Sequence, residues 1–204
     1  MTAPAKPIPQ IHSGDRMTRF EFHRRYKLHP EIRKAELIEG VVVVGSPVSR
    51  RHALPHTHVM RWLGKYCDRH LEVELLDNMT TVLDTDNEFQ PDALLRVLAG
   101  GTSVVDEEHY IVGPPELAVE IAVSSVSIDL HAKKEAYRRN GVGEYIVWRV
   151  EDEAIDWFRL EEGTYLRVEP DADGIIESVQ FPGLRLDVEA MIAGDLAAVG
   201  AAVR

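Results

Sequence analysis

Apolar residues along the chain follow two spacings, one typical of helices and one typical of strands. Residues 18–27, TRFEFHRRYK, carry an imperfect apolar stripe that predicts a short helix. Residues 51–69 place apolar side chains at positions 54, 59, 63 and 66, which is helical spacing. A third helix is predicted over 126–142, ended by Gly141.

Shorter apolar runs separated by Asn, Asp, Gly and Pro predict strands. Residues 34–47, KAELIEGVVVVGSP, predict a hairpin that turns at Glu39-Gly40. The middle of the chain holds LEVELLD, TTVLDT, QPDALLRV and the nearly continuous apolar run ELAVEIAV, which is typical of a central strand. Residues 98–110 read as a loop, and EYIVWRV, AIDWFRL and TYLRVEP predict three more strands. This order predicts a mixed α+β (α/β) domain with one central sheet flanked by helices.

The chain of 204 residues is long enough for one domain with a sizeable core. Residues 1–15 are predicted to be a disordered N-terminal arm, because their first part is rich in Pro and small residues. Residues 16–193 are expected to form the single domain, and residues 194–204 a C-terminal tail.

Composition narrows the class of protein. No apolar run approaches the roughly 18 residues of a membrane span, and the N-terminus has no signal-like apolar stretch, so we expect a cytoplasmic protein. A lone Cys67 excludes an internal disulfide and a cysteine-based metal cluster. The net charge of −11 opposes nonspecific binding to nucleic acid and leaves room only for a local basic patch.

Two carboxylates interrupt apolar strands. Asp92 lies in QPDALLRV and Glu120 in PELAVEIAVSS. Burial of a carboxylate is costly unless a partner or a bound ion compensates its charge. If the two strands are neighbours, the carboxylates can converge and hold a hard divalent cation such as Mg²⁺. The alternative, slightly favoured by residue types alone, is that each faces solvent or pairs with an arginine.

A second group lies in DLHAKKEAY, where Asp129, Lys133 and Tyr137 are spaced to share one helix face. An Asp–Lys pair at this spacing is usually a surface ion pair. In the functional alternative, Lys133 faces the carboxylates and orients a water or stabilises charge on a phosphate.

The histidines of RRHALPHTH predict no zinc site. His52 and His56 have metal-ligand spacing, but no Glu lies between them as in H-E-x-x-H and no third ligand is evident. A surface or site-edge role is therefore expected for His52. Ser124, directly after the Glu120 strand, has no G-x-S-x-G context that would mark a nucleophile.

Four segments, in the same order and with the same gaps, carry a resemblance to a known family. They are AELIEGVVVVGSPVSRRH, NEFQPDALLRV, PELAVEIAVSSVSIDLHAKKEAYRRNGVGEYIVWRV and SVQFPGLRLD. Over about residues 18–191 the chain resembles the Uma-type endonuclease family of the PD-(D/E)XK superfamily. The resemblance implies a restriction-endonuclease-like core with the acidic residues on adjoining central strands.

Residue by residue, Pro91-Asp92 matches the family's PD and Glu120 matches the acid of its second motif. The lysine that usually stands two residues later is replaced by Ala122, and Lys133 matches a lysine displaced to the following helix, in D-x-x-x-K-x-x-x-Y. Glu36 matches an acidic position on the N-terminal side.

The implied activity is Mg²⁺- or Mn²⁺-dependent hydrolysis of DNA. Asp92, Glu120 and the main-chain carbonyl of Ile121 would hold the metal, and Lys133 would assist catalysis. Glu36, His52, Ser124, Asp129 and Tyr137 are expected to support the site. DNA is the expected substrate, with RNA as an alternative, and a homodimer is expected because nucleases commonly cut both strands. A second reading keeps the fold without catalysis, as a binding or regulatory module.

Overall fold

A computed structural model describes residues 9–204 of the chain. Its α-helices are α1 (Arg19–Tyr26), α2 (Arg50–Cys67), α3 (Val126–Ile128), α4 (Lys134–Asn140), α5 (Val188–Ala193) and α6 (Leu196–Ala202). A π-helical turn, Asp129–Lys133, joins α3 to α4 into one continuous helical segment.

Six strands make up what we call the central sheet, in the order β12-β11-β10-β9-β6-β3. Only β9 and β10 are parallel to each other; the other neighbours are antiparallel. The strands are β3 (Val73–Asp77), β6 (Ala93–Val97), β9 (Leu117–Ala122), β10 (Glu144–Arg149), β11 (Ala154–Glu161) and β12 (Thr164–Val168).

A second set of six strands forms the N-terminal sheet, in the order β2-β1-β5-β4-β8-β7. It consists of β1 (Ala35–Ile38), β2 (Val41–Val44), β4 (Thr81–Val82), β5 (Glu88–Phe89), β7 (Val104–Val105) and β8 (Ile111–Val112). A separate pair, β13 (Ile175–Glu177) and β14 (Arg185–Asp187), lies beside α5 and α6.

The central sheet is covered on both faces, so its strands are apolar at nearly every position. In β9, Leu117, Val119 and Ile121 pack on the face that meets α2, α5 and α6. Ala118 and Ala122 pack on the other face, against α4 and Phe89 of the N-terminal sheet. Because successive side chains of a strand alternate between faces, Glu120 belongs to this second face.

The predicted hairpin is present as β1 and β2. Its two turn residues, Glu39 and Gly40, have φ values of 51° and 71°. Two successive positive φ angles are the signature of a type I′ turn, whose twist matches that of paired strands. The α4 segment likewise ends where predicted, at Gly141 with φ 86°.

The sequence interpretation was wrong in two details. One sheet was expected, and the structure has a second six-stranded sheet made largely of two-residue strands, too short to show an alternating pattern. The predicted loop over 98–110 contains β7.

Both ends of the described chain contact the core. Ile11 is buried beside Phe22, and Gly14 and Arg16 bond to β2, although residues 9–15 belong to the predicted arm. Residues 1–8 of that arm lie outside the described residues. In the predicted tail, Val199 and Val203 are buried in the same core as α2. The division into arm, single domain and tail stays a prediction. None of the helices between residues 9 and 204 is both long and apolar enough to span a bilayer.

Candidate active site

Asp92 and Glu120 lie on neighbouring strands of the central sheet. The antiparallel register of β6 and β9 pairs Ala93 with Val119. Continued by one residue, this register sets Asp92 directly opposite Glu120. Side chains at opposite positions of an antiparallel pair point to the same face. Both residues are buried, so the alternative in which each faces solvent is wrong.

Asp92 is held by three donors. Its Oδ2 accepts a hydrogen bond from the backbone N–H of Ile121 at 2.8 Å and lies 3.1 Å from Nε2 of His52. Its Oδ1 lies 3.1 Å from Nζ of Lys34. His56 contacts the backbone carbonyl of the same residue at 2.9 Å. The partners of Asp92 are thus a lysine and a histidine, and no arginine bonds to it within residues 9–204.

These contacts determine the ionisation of Asp92. Burial by itself would raise the pKa of the carboxyl group. The hydrogen bond from His52, the charge of Lys34 and the N–H of Ile121 outweigh burial and hold the pKa well below its usual range. Asp92 is therefore a carboxylate at neutral pH and acts only as an acceptor of hydrogen bonds.

Glu120 lies deeper, against the helical segment. Its Oε1 is 2.5 Å from Nζ of Lys133 and accepts a hydrogen bond from the hydroxyl of Tyr137 at 3.0 Å. Lys133 also contacts both oxygens of Glu36, at 3.0 and 3.1 Å. Asp129 is the third carboxylate near the same ammonium, 4.0 Å away. These residues are all buried, so the interpretation of Asp129 and Lys133 as a surface ion pair is wrong.

The cluster of Glu36, Glu120, Asp129 and Lys133 carries more negative than positive charge. Burial, together with Glu36, Asp129 and Asp92, raises the pKa of Glu120 to about 8, although the ammonium of Lys133 opposes the rise. Burial alone would lower the pKa of Lys133, but the three carboxylates outweigh it and raise that pKa above its usual range. The cluster can therefore take up a proton near neutral pH, or a further cation in its place.

The backbone of Ile121 contributes to the same place. In an extended strand, the N–H and C=O of one residue point to the same edge. The N–H of Ile121 bonds to Asp92, so its carbonyl faces that edge too. The register continues to Pro91 at the opposite position, and a proline has no N–H with which to occupy this carbonyl.

The two carboxylates and the main-chain carbonyl could supply oxygen ligands, the type that Mg²⁺ and Mn²⁺ prefer. Across residues 9–204, no three or more His, Cys, Asp or Glu side chains are grouped so that they could hold a metal by themselves. The donor set fits a cation that takes few protein ligands and retains water or substrate oxygens, which is the habit of Mg²⁺. It does not fit a closed zinc site.

The structure brings together most of the residues predicted for the site. His52 contacts Asp92, and both Lys133 and Tyr137 contact Glu120. Lys133 also contacts Glu36 and lies 4.0 Å from Asp129. Ser124 is the exception, because its side chain is exposed. The next residue, Ser125, takes the place expected for it and donates to Oδ2 of Asp129 at 2.5 Å.

Sequence reasoning missed Lys34. Its position relative to Glu36 is i, i+2, so strand alternation would have placed both on one face once β1 was predicted. A basic residue two positions before a candidate acid in a strand is thus a usable signal. Lys34 was overlooked because it stands at the very start of the hairpin, before the first strand residue.

Comparison with known proteins agrees with this architecture. A family model matches residues 20–189; the family is Uma2, described as "Putative restriction endonuclease". No curated protein matches the chain. A similar solved structure is that of "a putative nuclease belonging to DUF820" from Anabaena variabilis, with a TM-score of 0.63 and 13% sequence identity. The match covers 83% of this chain and 96% of that one, and at this identity it shows a shared fold. Since the family model spans most of its length, the chain belongs to the Uma2 family.

Proposed function

We propose that this protein is a metal-dependent endonuclease that hydrolyses phosphodiester bonds of DNA. The observation that carries the proposal is the pairing of two buried carboxylates, Asp92 and Glu120, at opposite positions of neighbouring strands. Membership of the Uma2 family and the nuclease described among similar folds support the same reaction class.

Asp92, Glu120 and the carbonyl of Ile121 would hold Mg²⁺ or Mn²⁺. When bound, the ion would polarise the scissile phosphate and activate the attacking water. In the net reaction, a water oxygen bonds to phosphorus, the P–O bond to the leaving group breaks, and the leaving oxygen takes up the proton.

The protein's own residues prepare this site. His52 and the N–H of Ile121 fix the orientation of Asp92 and keep it ionised. Tyr137 and Lys133 hold Glu120 by its Oε1. Lys133 offsets part of the charge of Glu36 and Glu120, and this is the role that we propose for the displaced lysine. Fixing the ligands in advance reduces the cost of assembling the site during the reaction.

The net charge limits how the protein could contact DNA. With a net charge of −11, contact with DNA must use a local positive surface. The exposed start of α2, with Arg50 beside Arg51, which pairs with Glu151, and His52, is the surface that we propose. Cleavage of both strands by one site per chain would require two copies, so a homodimer is the expected form. The cytoplasm is the location that we propose for it.

One observation favours a second candidate function, a binding or regulatory module without catalysis. Both oxygens of Asp92 and one of Glu120 already contact positive or donating groups of the chain itself. Such a network can satisfy buried charges without a metal.

Incubation with supercoiled, linear and single-stranded DNA and Mn²⁺ separates the two candidates. An endonuclease nicks the circle, and Asp92→Asn, which removes the charge with little change of shape, should abolish nicking. The control is Asp171→Asn, a carboxylate that accepts backbone hydrogen bonds in a turn before β13. Nicking that survives Asp92→Asn, or its absence in the unaltered protein together with no Mn²⁺-dependent thermal shift, would refute the nuclease proposal. An RNA substrate in parallel tests the alternative nucleic acid.

A further inference from the structure

A second lysine, Lys34, lies at the open edge of the carboxylate pair. Its Nζ lies 3.1 Å from Oδ1 of Asp92 and 3.3 Å from Oδ1 of Asn78. The side chain of Lys34 is 31% exposed, whereas that of Lys133 is 2% exposed. Of these two ammonium groups, only that of Lys34 is within reach of a large substrate without rearrangement of the core.

The stem of Lys34 is packed rather than free. Gly45, the residue after β2, donates its N–H to the carbonyl of Lys34 at 2.8 Å. A Cβ atom at Gly45 would lie 3.2 Å from Cβ and 3.4 Å from Cγ of Lys34. The absence of a side chain at Gly45 thus leaves room for the stem of Lys34.

The two lysines differ in the charge that surrounds them. Lys133 is enclosed by Glu36, Glu120 and Asp129, which more than cancel its charge. Lys34 has one charged partner within ion-pair distance, Asp92, and a neutral amide as its second contact. An anionic phosphate is attracted to the less neutralised of two cations.

We infer that Lys34, whose Nζ lies 3.1 Å from Oδ1 of Asp92, supplies the ammonium that contacts the scissile phosphate. The inference rests on the proposed function, since it names a substrate-contacting residue of the same site. Because Lys34 and a bound cation would both pair with the carboxylate of Asp92, we expect them to compete for it, and the ammonium would be available to the phosphate. Lys133 remains a positioning residue for Glu120.

The inference predicts opposite effects on two measurements. In Lys34→Met, nicking of supercoiled DNA should fall more than about 100-fold, as for removal of one donor that stabilises developing charge. The Mn²⁺ concentration at half-maximal thermal shift should fall about two- to fivefold, because a competing ion pair of this partly exposed kind is lost. A merely structural lysine would weaken both metal binding and nicking.

Three further variants sharpen the test. Lys27→Met removes an exposed lysine paired with Glu108 and should change neither measurement. Lys34→Arg keeps the charge and should recover part of the lost activity. Gly45→Ala keeps every charge but displaces the stem of Lys34, so it should lower nicking by less than Lys34→Met does.

Two results would overturn the inference and leave the proposed function standing. One is nicking by folded Lys34→Met within twofold of the unaltered protein, while Asp92→Asn is inactive. The other is a higher Mn²⁺ requirement in Lys34→Met. If Asp92→Asn itself retains nicking, the proposed function fails, and this inference fails with it. If Lys34→Met does not fold, Gly45→Ala and Lys34→Arg are used to test the inference. Unchanged nicking in Gly45→Ala would then count against it.

Discussion

Buried carboxylates at the two ends of the central strands have different kinds of partner. At one end, Glu116 and Glu144 accept hydrogen bonds from backbone N–H and hydroxyl groups of nearby loops. At the other end, Asp92 and Glu120 are surrounded by lysines, a histidine and further carboxylates.

At the first end, neutral donors supply the hydrogen bonds of both carboxylates. Glu144 receives the hydroxyl of Ser178 at 2.6 Å and the N–H of Val179 at 2.8 Å, and so attaches the β13 region to the start of β10. Neutral donors satisfy such a carboxylate without bringing other ionised groups into the core. Glu116 attaches the 98–105 region to β6 in the same manner.

The second arrangement is costly for the fold by itself. Three carboxylates share the ammonium of Lys133, and burial raises the pKa of Glu120 to about 8. Strongly perturbed ionisable groups collected at one place are characteristic of functional sites. The contrast teaches that burial of a carboxylate is not informative until the charge of its partners is known.

Removal of the shared cation should have the largest effect on stability. Lys133→Met leaves Glu36, Glu120 and Asp129 without their common partner, and loss of one member of a buried ion pair costs about 3–5 kcal/mol. We expect denaturant unfolding to show a loss of this size. If Lys133→Met is as stable as the unaltered protein at pH 7, the carboxylates around Lys133 do not depend on its charge, and the contrast between the two ends is wrong.

A matched pair of substitutions compares the two ends directly. Glu144→Ala leaves the donors of Ser178 and Val179 unpaired and should lower the free energy of unfolding by about 1–3 kcal/mol. It should leave the Mn²⁺-dependent thermal shift unchanged. Glu120→Gln resembles the protonated form of Glu120, so in EDTA it should cost less stability while it abolishes the thermal shift.

The same comparison fails if the pair behaves in the reverse manner. A thermal shift lost in folded Glu144→Ala would mean that the loop end contributes to the metal site. A full shift in Glu120→Gln would remove Glu120 from the ligand set and leave it only a structural acceptor.

Stability should also depend on pH, through the protonation of Glu120. The pKa of Glu120 is raised from 4.5 to about 8 in the folded, metal-free protein. Folding therefore takes up a proton between these values, and the contribution of Glu120 falls as the pH rises to about 8. Melting temperatures in EDTA should decline over this range, with a smaller decline in Glu120→Gln.

Asp92 should act in the opposite direction and in a separate window. Its pKa is depressed below 3.8, so its stabilising contribution is present above that value and is lost only as the pH falls through the lowered pKa.

Addition of Mn²⁺ at pH 8 should restore the stability lost through Glu120, because the ion replaces the proton that Glu120 releases. If the decline in EDTA persists undiminished in Glu120→Gln, another group is responsible.

Much of the fold could be predicted from local patterns. The bounds of α1, the turn at Glu39-Gly40 and the end of α4 at Gly141 follow from capping, turn chemistry and periodicity, all of which act within a few residues. The N-terminal sheet could not be predicted in this way. Its strands β4, β5, β7 and β8 have two residues each, and only distant partners hold them extended.

The sequence by itself determined which residues stand out chemically: Asp92 and Glu120 interrupt apolar runs, and Lys133 and Tyr137 recur at helical spacing. Only the tertiary structure decided which charges meet. It buried Lys133 among three carboxylates, left Ser124 in solvent and brought the unnoticed Lys34 to Asp92 across 58 positions of chain. The reason is physical: local preference depends on neighbours in sequence, whereas the energy of a buried charge depends on every group within a few ångströms, whatever its place in the chain.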